Sequence, residues 1–217
     1  MKPLIKKKHP LIRLIEEGEG LRQDFKYEIS DARKIARSFV AFANTEGGRL
    51  LIGVHDNGEI AGIRSEEERF MARRAASEFC RPQVAYSSRE WRFKGKTVLE
   101  INIPKGNEMP YMAMNDDNRW RAWIRVGDQN VLANRVFVKA MQLKFSDKGT
   151  VITFNDREKI LLEMFETYPS ITLEKLTGES GLTDRQAEEL LIRFLSIDLI
   201  KMAVDPDGNV TYSSAML

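Results

Sequence analysis

Cysteine and histidine are almost missing from this chain of 217 residues, which has one Cys and two His. Cys80 alone cannot close a disulfide within the chain or build a thiolate zinc site, and such usage fits a reducing compartment. His9 and His55 have no serine or cysteine partner at motif spacing, so no nucleophilic triad is legible. Any metal must then be held mainly by carboxylates. Long apolar runs are missing too. Charge interrupts each one within a few residues, and the opening Met1-Lys2-Pro3-Leu4-Ile5-Lys6-Lys7-Lys8 has no continuous apolar stretch. Neither a membrane-spanning helix nor a secretion leader is expected, and the reading is a soluble, cytoplasmic protein without a membrane partner. With 7 Pro and 14 Gly the chain is not collagenous, and 42% hydrophobic against 30% charged residues excludes wholesale disorder. One or two domains are expected at this length.

What is there is unevenly charged. The net charge of +2 hides a first part, residues 1–154, with 28 Lys and Arg against 20 Asp and Glu, and a remainder with 6 against 12. The basic part is the candidate phosphate binder, although sign imbalance by itself also describes two ordinary solvated faces. Ser146-Asp147-Lys148-Gly149-Thr150 reads as the linker, giving domains over 1–147 and 154–217.

Periodicity predicts a short helix over Pro10 to Glu17, a strand over Arg22 to Tyr27, and a helix over Asp31 to Asn44 capped by Ser30 and ended by Gly47-Gly48. Leu50 to Val54 reads as a buried strand, and Asp56-Asn57-Gly58 as a hairpin turn, because Asn and Gly tolerate positive φ, with Glu59 to Ile63 as the returning strand. A helix over Glu66 to Phe79 follows. Two hairpins, Val84 to Ile103 around Lys94-Gly95 and Tyr111 to Val126 around Asn115 to Asn118, precede a helix over Asn134 to Phe145. The expected fold class is α+β, with a mixed, mostly antiparallel sheet. The remaining segment predicts three helices and a terminal hairpin, the outline of a small winged-helix domain. Its third helix offers Arg185, Gln186 and Arg193 beside Asp184, Glu188 and Glu189, and an acidic helix repels phosphate. Dimerisation or protein contact is therefore at least as well supported for it as base readout.

Two constellations carry chemistry. On a strand Asp24 and Lys26 share a face while Phe25 points inward. With Glu19 in the glycine turn and Asp56 after the buried strand, these acids could hold a hard cation such as Mg²⁺ or Mn²⁺ while Lys26 stabilises phosphoryl charge. The same pattern also describes a plain surface ion pair and a turn aspartate. In the second, strict alternation along Asn118 to Val126 places Trp120, Ala122, Ile124 and Val126 inward and Arg119, Arg121, Trp123 and Arg125 on the other face. Arginine neutralises phosphate and an exposed indole stacks on bases, so this stripe is a candidate nucleic-acid surface, extended by Arg33, Lys34 and Arg37. A solvated outer face with a covered tryptophan is the competing reading. Gly95-Lys96-Thr97 is not a phosphate loop, because Glu90 stands where glycine is needed and no helix follows.

Glu19, Asp24-Phe25-Lys26, Ala41-Phe42-Ala43-Asn44-Thr45 with Gly47-Gly48, Ile52-Gly53-Val54 with Asp56, Gly58, Ile60 and Gly62, and Ile124-Arg125-Val126-Gly127 together resemble the Schlafen AlbA-like domain over roughly residues 10 to 145. The resemblance implies a nucleic-acid-binding protein, DNA ahead of RNA. Bacterial relatives commonly carry a helix-turn-helix module after this domain and are regarded as DNA-binding transcriptional regulators. A second reading is also implied: some animal members cleave transfer and ribosomal RNA with a divalent metal held by three acids, which fall here on Glu19, Asp24 and Asp56. This chain departs from that pattern in having Asp24 where Glu is usual, and one domain copy where the nucleases fuse two. A homodimer is the expectation that would supply the second half.

Overall fold

Apolar side chains from Ala32 to Asn44 recur at helical spacing with Arg33, Lys34 and Arg37 on the opposite side, and in the computed structural model ten of those thirteen residues are buried. The apolar stripe faces the core, and Arg33, Lys34 and Arg37 are the three residues of the helix that are not buried. The structure describes residues 8–146, 155–205 and 207–215. In chain order the first elements are α1 (Pro10–Glu16), β1 (Gln23–Lys26), α2 (Ala32–Asn44), β2 (Gly48–Ile52), α3 (Glu67–Glu78), β3 (Cys80–Arg81), β4 (Ser87–Phe93), β5 (Lys96–Ile103), β6 (Met112–Met114), β7 (Trp120–Val126) and β8 (Gln129–Leu132). There follow α4 (Arg135–Lys144), α5 (Asp156–Thr167), α6 (Leu173–Ser180), α7 (Asp184–Ser196), β9 (Ile200–Val204) and β10 (Val210–Ser214). The fold class is α+β. No helix among the described residues is long and apolar enough to cross a membrane.

Two compact units divide the chain, one of Met1–Gly106 with Tyr111–Asn130, the other of Asn107–Pro110 with Val131–Leu217. In the first, a sheet of order β1-β2-β5-β4 and a second of order β3-β6-β7-β8 are joined by α2, which packs on β2 and β5 and on β6 and β7. The β1 and β2 strands pair in parallel through the α2 crossover, whereas β5 runs antiparallel to both β2 and β4, and β6 antiparallel to both β3 and β7. On the far side of the first sheet, Leu11 of α1 meets Phe25, Leu51, Val54, Trp91 and Val98 in one apolar cluster.

Two glycine positions fix the sheet's approach to its neighbours. At Gly47, with φ of +74°, a Cβ would lie 2.8 Å from Ile103 O and from Lys105 N. At Gly53, with φ of +92°, it would lie 2.7 Å from the Gly62 carbonyl carbon, while Gly62 N–H donates to Gly53 O at 2.8 Å. Only a residue without a side chain fits either place. Asn44 stitches α2 to the second sheet: its Nδ2 donates to Tyr111 O at 2.8 Å and Trp123 O at 2.9 Å, and its Oδ1 accepts from Tyr111 N at 2.8 Å.

Several elements differ from expectation: Glu59 to Ile63 forms no returning strand and meets the preceding strand only in a single bridge, Val54 to Ile60, because Ala61 and Gly62 both donate to Gly53 O and Ile63 turns to Thr97 O. The α2 cap is Asp31, not Ser30, because the helix begins at Ala32 and the residue just before it is the one whose side chain accepts from Arg33 N, at 2.8 Å. The short strand β8 has no alternating pattern to announce it in the sequence. The helix over Asn134 to Phe145 falls in the second unit, packed along α7, whereas the sequence reading assigns it to the first domain. An apolar helix face does not say which neighbour it will meet. The linker from Asp147 to Thr150 lies outside the described residues.

In the second unit, capping boxes start α5 and α7, at Asn155 with Glu158 and at Thr183 with Gln186. Gly181, at φ of +69°, ends α6. Strands β9 and β10 pair as the expected hairpin. Helix α7 buries Ala187, Leu190, Leu191, Phe194 and Leu195 as the spacing predicts, and also Ile192 and Ser196, because α4 covers a second side of it.

Candidate functional site

Strand β1 presents Asp24 and Lys26 on one side, and the structure gathers further groups there. The Asp24 carboxylate is 3% exposed, with Lys26 Nζ 2.8 Å from one oxygen and Arg125 Nη2 3.2 Å from the other. Arg125, also 3% exposed, lies over the Phe42 ring. Its Nε donates to Gly20 O at 3.1 Å, Nη1 to Asn130 Oδ1 at 3.0 Å and Nη2 to Gln23 O at 3.2 Å, while its backbone N–H donates to Thr45 Oγ1 at 2.9 Å. A buried charge is tolerated on such terms, with a counter-ion and its donor groups engaged.

Glu19 accepts from Phe25 N at 2.8 Å and stands beside the Asp24 carboxyl. Burial, and then the neighbouring Asp24, raise its pKa above the ordinary value of 4.5, against the opposing effects of the Phe25 N–H and Lys26. The folded state therefore holds the Glu19 proton more tightly than the unfolded chain does. The stability this contributes is complete below pH 4.5 and is lost as pH rises through the raised value. Glu19→Gln, which keeps a carbonyl oxygen for Phe25, is expected to raise the unfolding midpoint at neutral pH and to remove that acidic-side gain. Midpoints of both proteins measured from pH 4 to 8 check it; parallel curves would overturn it.

Asp56 is elsewhere. It is exposed at the tip of the turn closed by His55 N donating to Glu59 O at 2.9 Å and Gly58 N to His55 O at 2.8 Å. Among the described residues no three His, Cys, Asp or Glu side chains come together as a metal site.

The second constellation is also rearranged. The face of β7 that carries Arg121, Trp123 and Arg125 lies against α2, so Arg125 is buried within it and Trp123 sits beneath Arg37, 5.4 Å from guanidinium to ring centroid. Alternation sorts side chains to two faces; it does not say which face is wet. Arg37 is further tied to Asp116 at 2.9 Å, and Arg119 stands 3.5 Å from Asp117. Of that stripe Arg121 alone has no carboxylate partner among the described residues, and of the α2 set Arg33 and Lys34 have none.

Other cations, not singled out from the sequence, join them. Arg33 lies 5.3 Å and Arg74 5.5 Å from the centroid of Phe79, and Arg73 and Arg74 lie 5.5 and 5.8 Å from that of Phe70. Arg81, on the edge strand β3, covers Trp120 at 5.1 Å. The signal was present in α3 as adjacent arginines one turn from Phe70, but helical spacing alone does not place them beside α2.

The family model described as Schlafen, AlbA_2 matches residues 19–134, more than half of the chain. The chain belongs to this family. Among solved structures, the Schlafen AlbA_2 chain is similar to the DIP2311 protein from Corynebacterium diphtheriae, at 22% identity and a TM-score of 0.49, over 90% of this chain and 38% of that one. It thus spans well under half of that relative. It is also similar to the N-terminal domain of a putative ATP-dependent DNA helicase RecG-related protein from Nitrosomonas europaea, at 19% identity and a TM-score of 0.37, over 68% of this chain and 97% of that one. Neither likeness is close enough to carry an argument. No curated protein matches the chain.

The three-acid metal centre that the Schlafen resemblance implies does not fit the residues as they stand. Lys26 Nζ lies 2.8 Å from one Asp24 oxygen and Arg125 Nη2 3.2 Å from the other, so two cations already face that carboxylate, and Asp56 does not group with Glu19 and Asp24. What the cluster does is hold β1 to β7 through a buried ion pair.

Proposed function

We propose that the first unit binds nucleic acid by its phosphates, DNA ahead of RNA, and that the protein serves as a DNA-binding regulator. The observation that supports this is a set of unpaired cations, Arg33, Lys34, Arg73, Arg81 and Arg121, spread over α2, α3, β3 and β7, with no carboxylate in ion-pair range among the described residues. Arg33 and Arg74 share the Phe79 ring, and Arg73 and Arg74 share Phe70, so the cations of α2 and α3 adjoin one another. Membership of the Schlafen AlbA_2 family supports the same reading.

The second unit is proposed as a winged helix used for assembly. Its α7 is unsuited to reading a groove: α4 packs along it with Arg135 3.6 Å from Glu188, Arg185 is spent on Glu189 at 3.0 Å, and Arg193 on the fully buried Glu158 at 2.5 Å. Phe145 and Ile197, both exposed, flank the Lys144–Asp198 pair that joins the ends of α4 and α7, and offer an apolar contact to a second copy.

Titration of a labelled duplex with the full chain at several salt concentrations tests the proposal. Affinity is expected to fall by about 0.9 log units per log unit of salt for each phosphate engaged, so about three to five engaged phosphates give a slope of roughly −3 to −4.5. A flat salt response, or no binding at low salt, would overturn it. Sedimentation of the same samples reads the copy number, and a single-chain mass removes the assembly role.

A further inference from the structure

We infer that the α2–α3 part of the basic face is a track for single-stranded nucleic acid, with Phe70 as its base-stacking element. The inference rests on the phosphate-binding proposal above and deepens it. Helix α3 buries Glu68, Ala72, Ala75 and Ala76, a narrow stripe of mostly small residues, and turns Phe70 outward, where it is 47% exposed. A phenylalanine left in water contributes nothing to the core, yet this one is bracketed by two guanidinium groups, those of Arg73 and Arg74. Arg74 reaches on to the half-buried Phe79, whose ring Arg33 also covers. Rings and guanidinium groups therefore alternate in the order Arg73, Phe70, Arg74, Phe79, Arg33. Among the described residues the only carboxylate engaged along that line is Glu78, 2.9 Å from Arg74, so cationic charge predominates.

Such an alternation matches one ligand chemistry. Guanidinium groups take phosphates, and flat apolar faces take bases that have left their stack. In a duplex the bases are stacked on one another and cannot reach a ring on a helix surface, so a duplex uses the charges and not Phe70. A flexible single strand uses both.

Phe70→Ala in the full chain is compared with the unaltered chain for binding to oligo-dT, to oligo-U and to a duplex of equal charge, at one salt concentration. The expected result is a loss of about tenfold or more on the two single strands, with duplex binding unchanged. Phe70→Trp is expected to restore single-strand binding and to show quenched indole emission when oligo-dT is added. Loss on oligo-dT with none on oligo-U limits the track to DNA. Unchanged single-strand affinity in Phe70→Ala, or an equal loss on duplex and single strands, overturns the inference while leaving phosphate binding intact. Failure of the unaltered chain to bind any of the three overturns the phosphate-binding proposal itself. Because Phe70 is on the surface, the thermal midpoint of both variants is expected to match that of the unaltered chain.

Discussion

Arg125→Ala is expected to destabilise the first unit by about 3–5 kcal/mol, the cost of leaving one member of a buried ion pair without its partner. The substitution strands the Asp24 carboxylate, 3% exposed, with Lys26 as its remaining counter-charge, and it takes donors from Gly20 O, Gln23 O and Asn130 Oδ1 together. Asp24→Ala fails for the mirror reason, leaving a guanidinium buried over Phe42. Combining Asp24→Leu with Arg125→Met removes both charges and keeps much of the volume, so the double variant is expected to lose clearly less than the sum of the single losses. Denaturant titration of the unaltered, single and double variants measures this cycle. Additive losses would mean that the two side chains act separately and that the pair is not what joins β1 to β7. Repeating the titration with Mg²⁺ or Mn²⁺ is expected to leave the midpoint of the unaltered chain where it was, since Lys26 and Arg125 already balance the Asp24 charge; a metal-dependent rise would restore the carboxylate-site reading.

Charge reversal on the basic face has the other large effect, and on binding instead of stability. Lys34 and Arg73 are exposed and have no acidic partner among the described residues, so Lys34→Glu and Arg73→Glu break nothing in the fold. Each phosphate left without its cation costs about 0.9 log units of affinity at 0.1 M salt relative to 1 M, roughly eightfold, before added repulsion. The double variant is thus expected to bind a duplex about 60-fold more weakly, with the salt slope shallower by nearly two units. Unchanged affinity with an unchanged slope would place nucleic acid on some other surface. Arg125 behaves in the opposite way: it supports the fold and has no surface to offer, whereas Lys34 and Arg73 are free of structural duty.

Much of the architecture is legible in local pattern. The one-sided apolar spacing of Ala32 to Asn44, the Asn57-Gly58 turn, the Lys94-Gly95 hairpin and the amphipathic face of α7 each depend on relations within one element or across one turn, and each is present. The acids are less so. Glu19 and Asp24 are close in the chain and do meet, but Asp56 is carried away on its own turn, which no spacing along the chain reports.

The arginines make the division sharpest. By itself the sequence determined the α+β class, the family motifs and the excess of positive charge in residues 1–154, because these follow from periodicity, turn chemistry and composition. Only the tertiary structure decided that Arg125 turns in to a buried carboxylate 101 residues away while Arg33, Arg73 and Arg81 remain unpaired outside. A side chain's type and spacing state its charge and its face. Whether that charge meets water or a counter-ion depends on which distant element packs opposite it, and that is a property of the assembled fold.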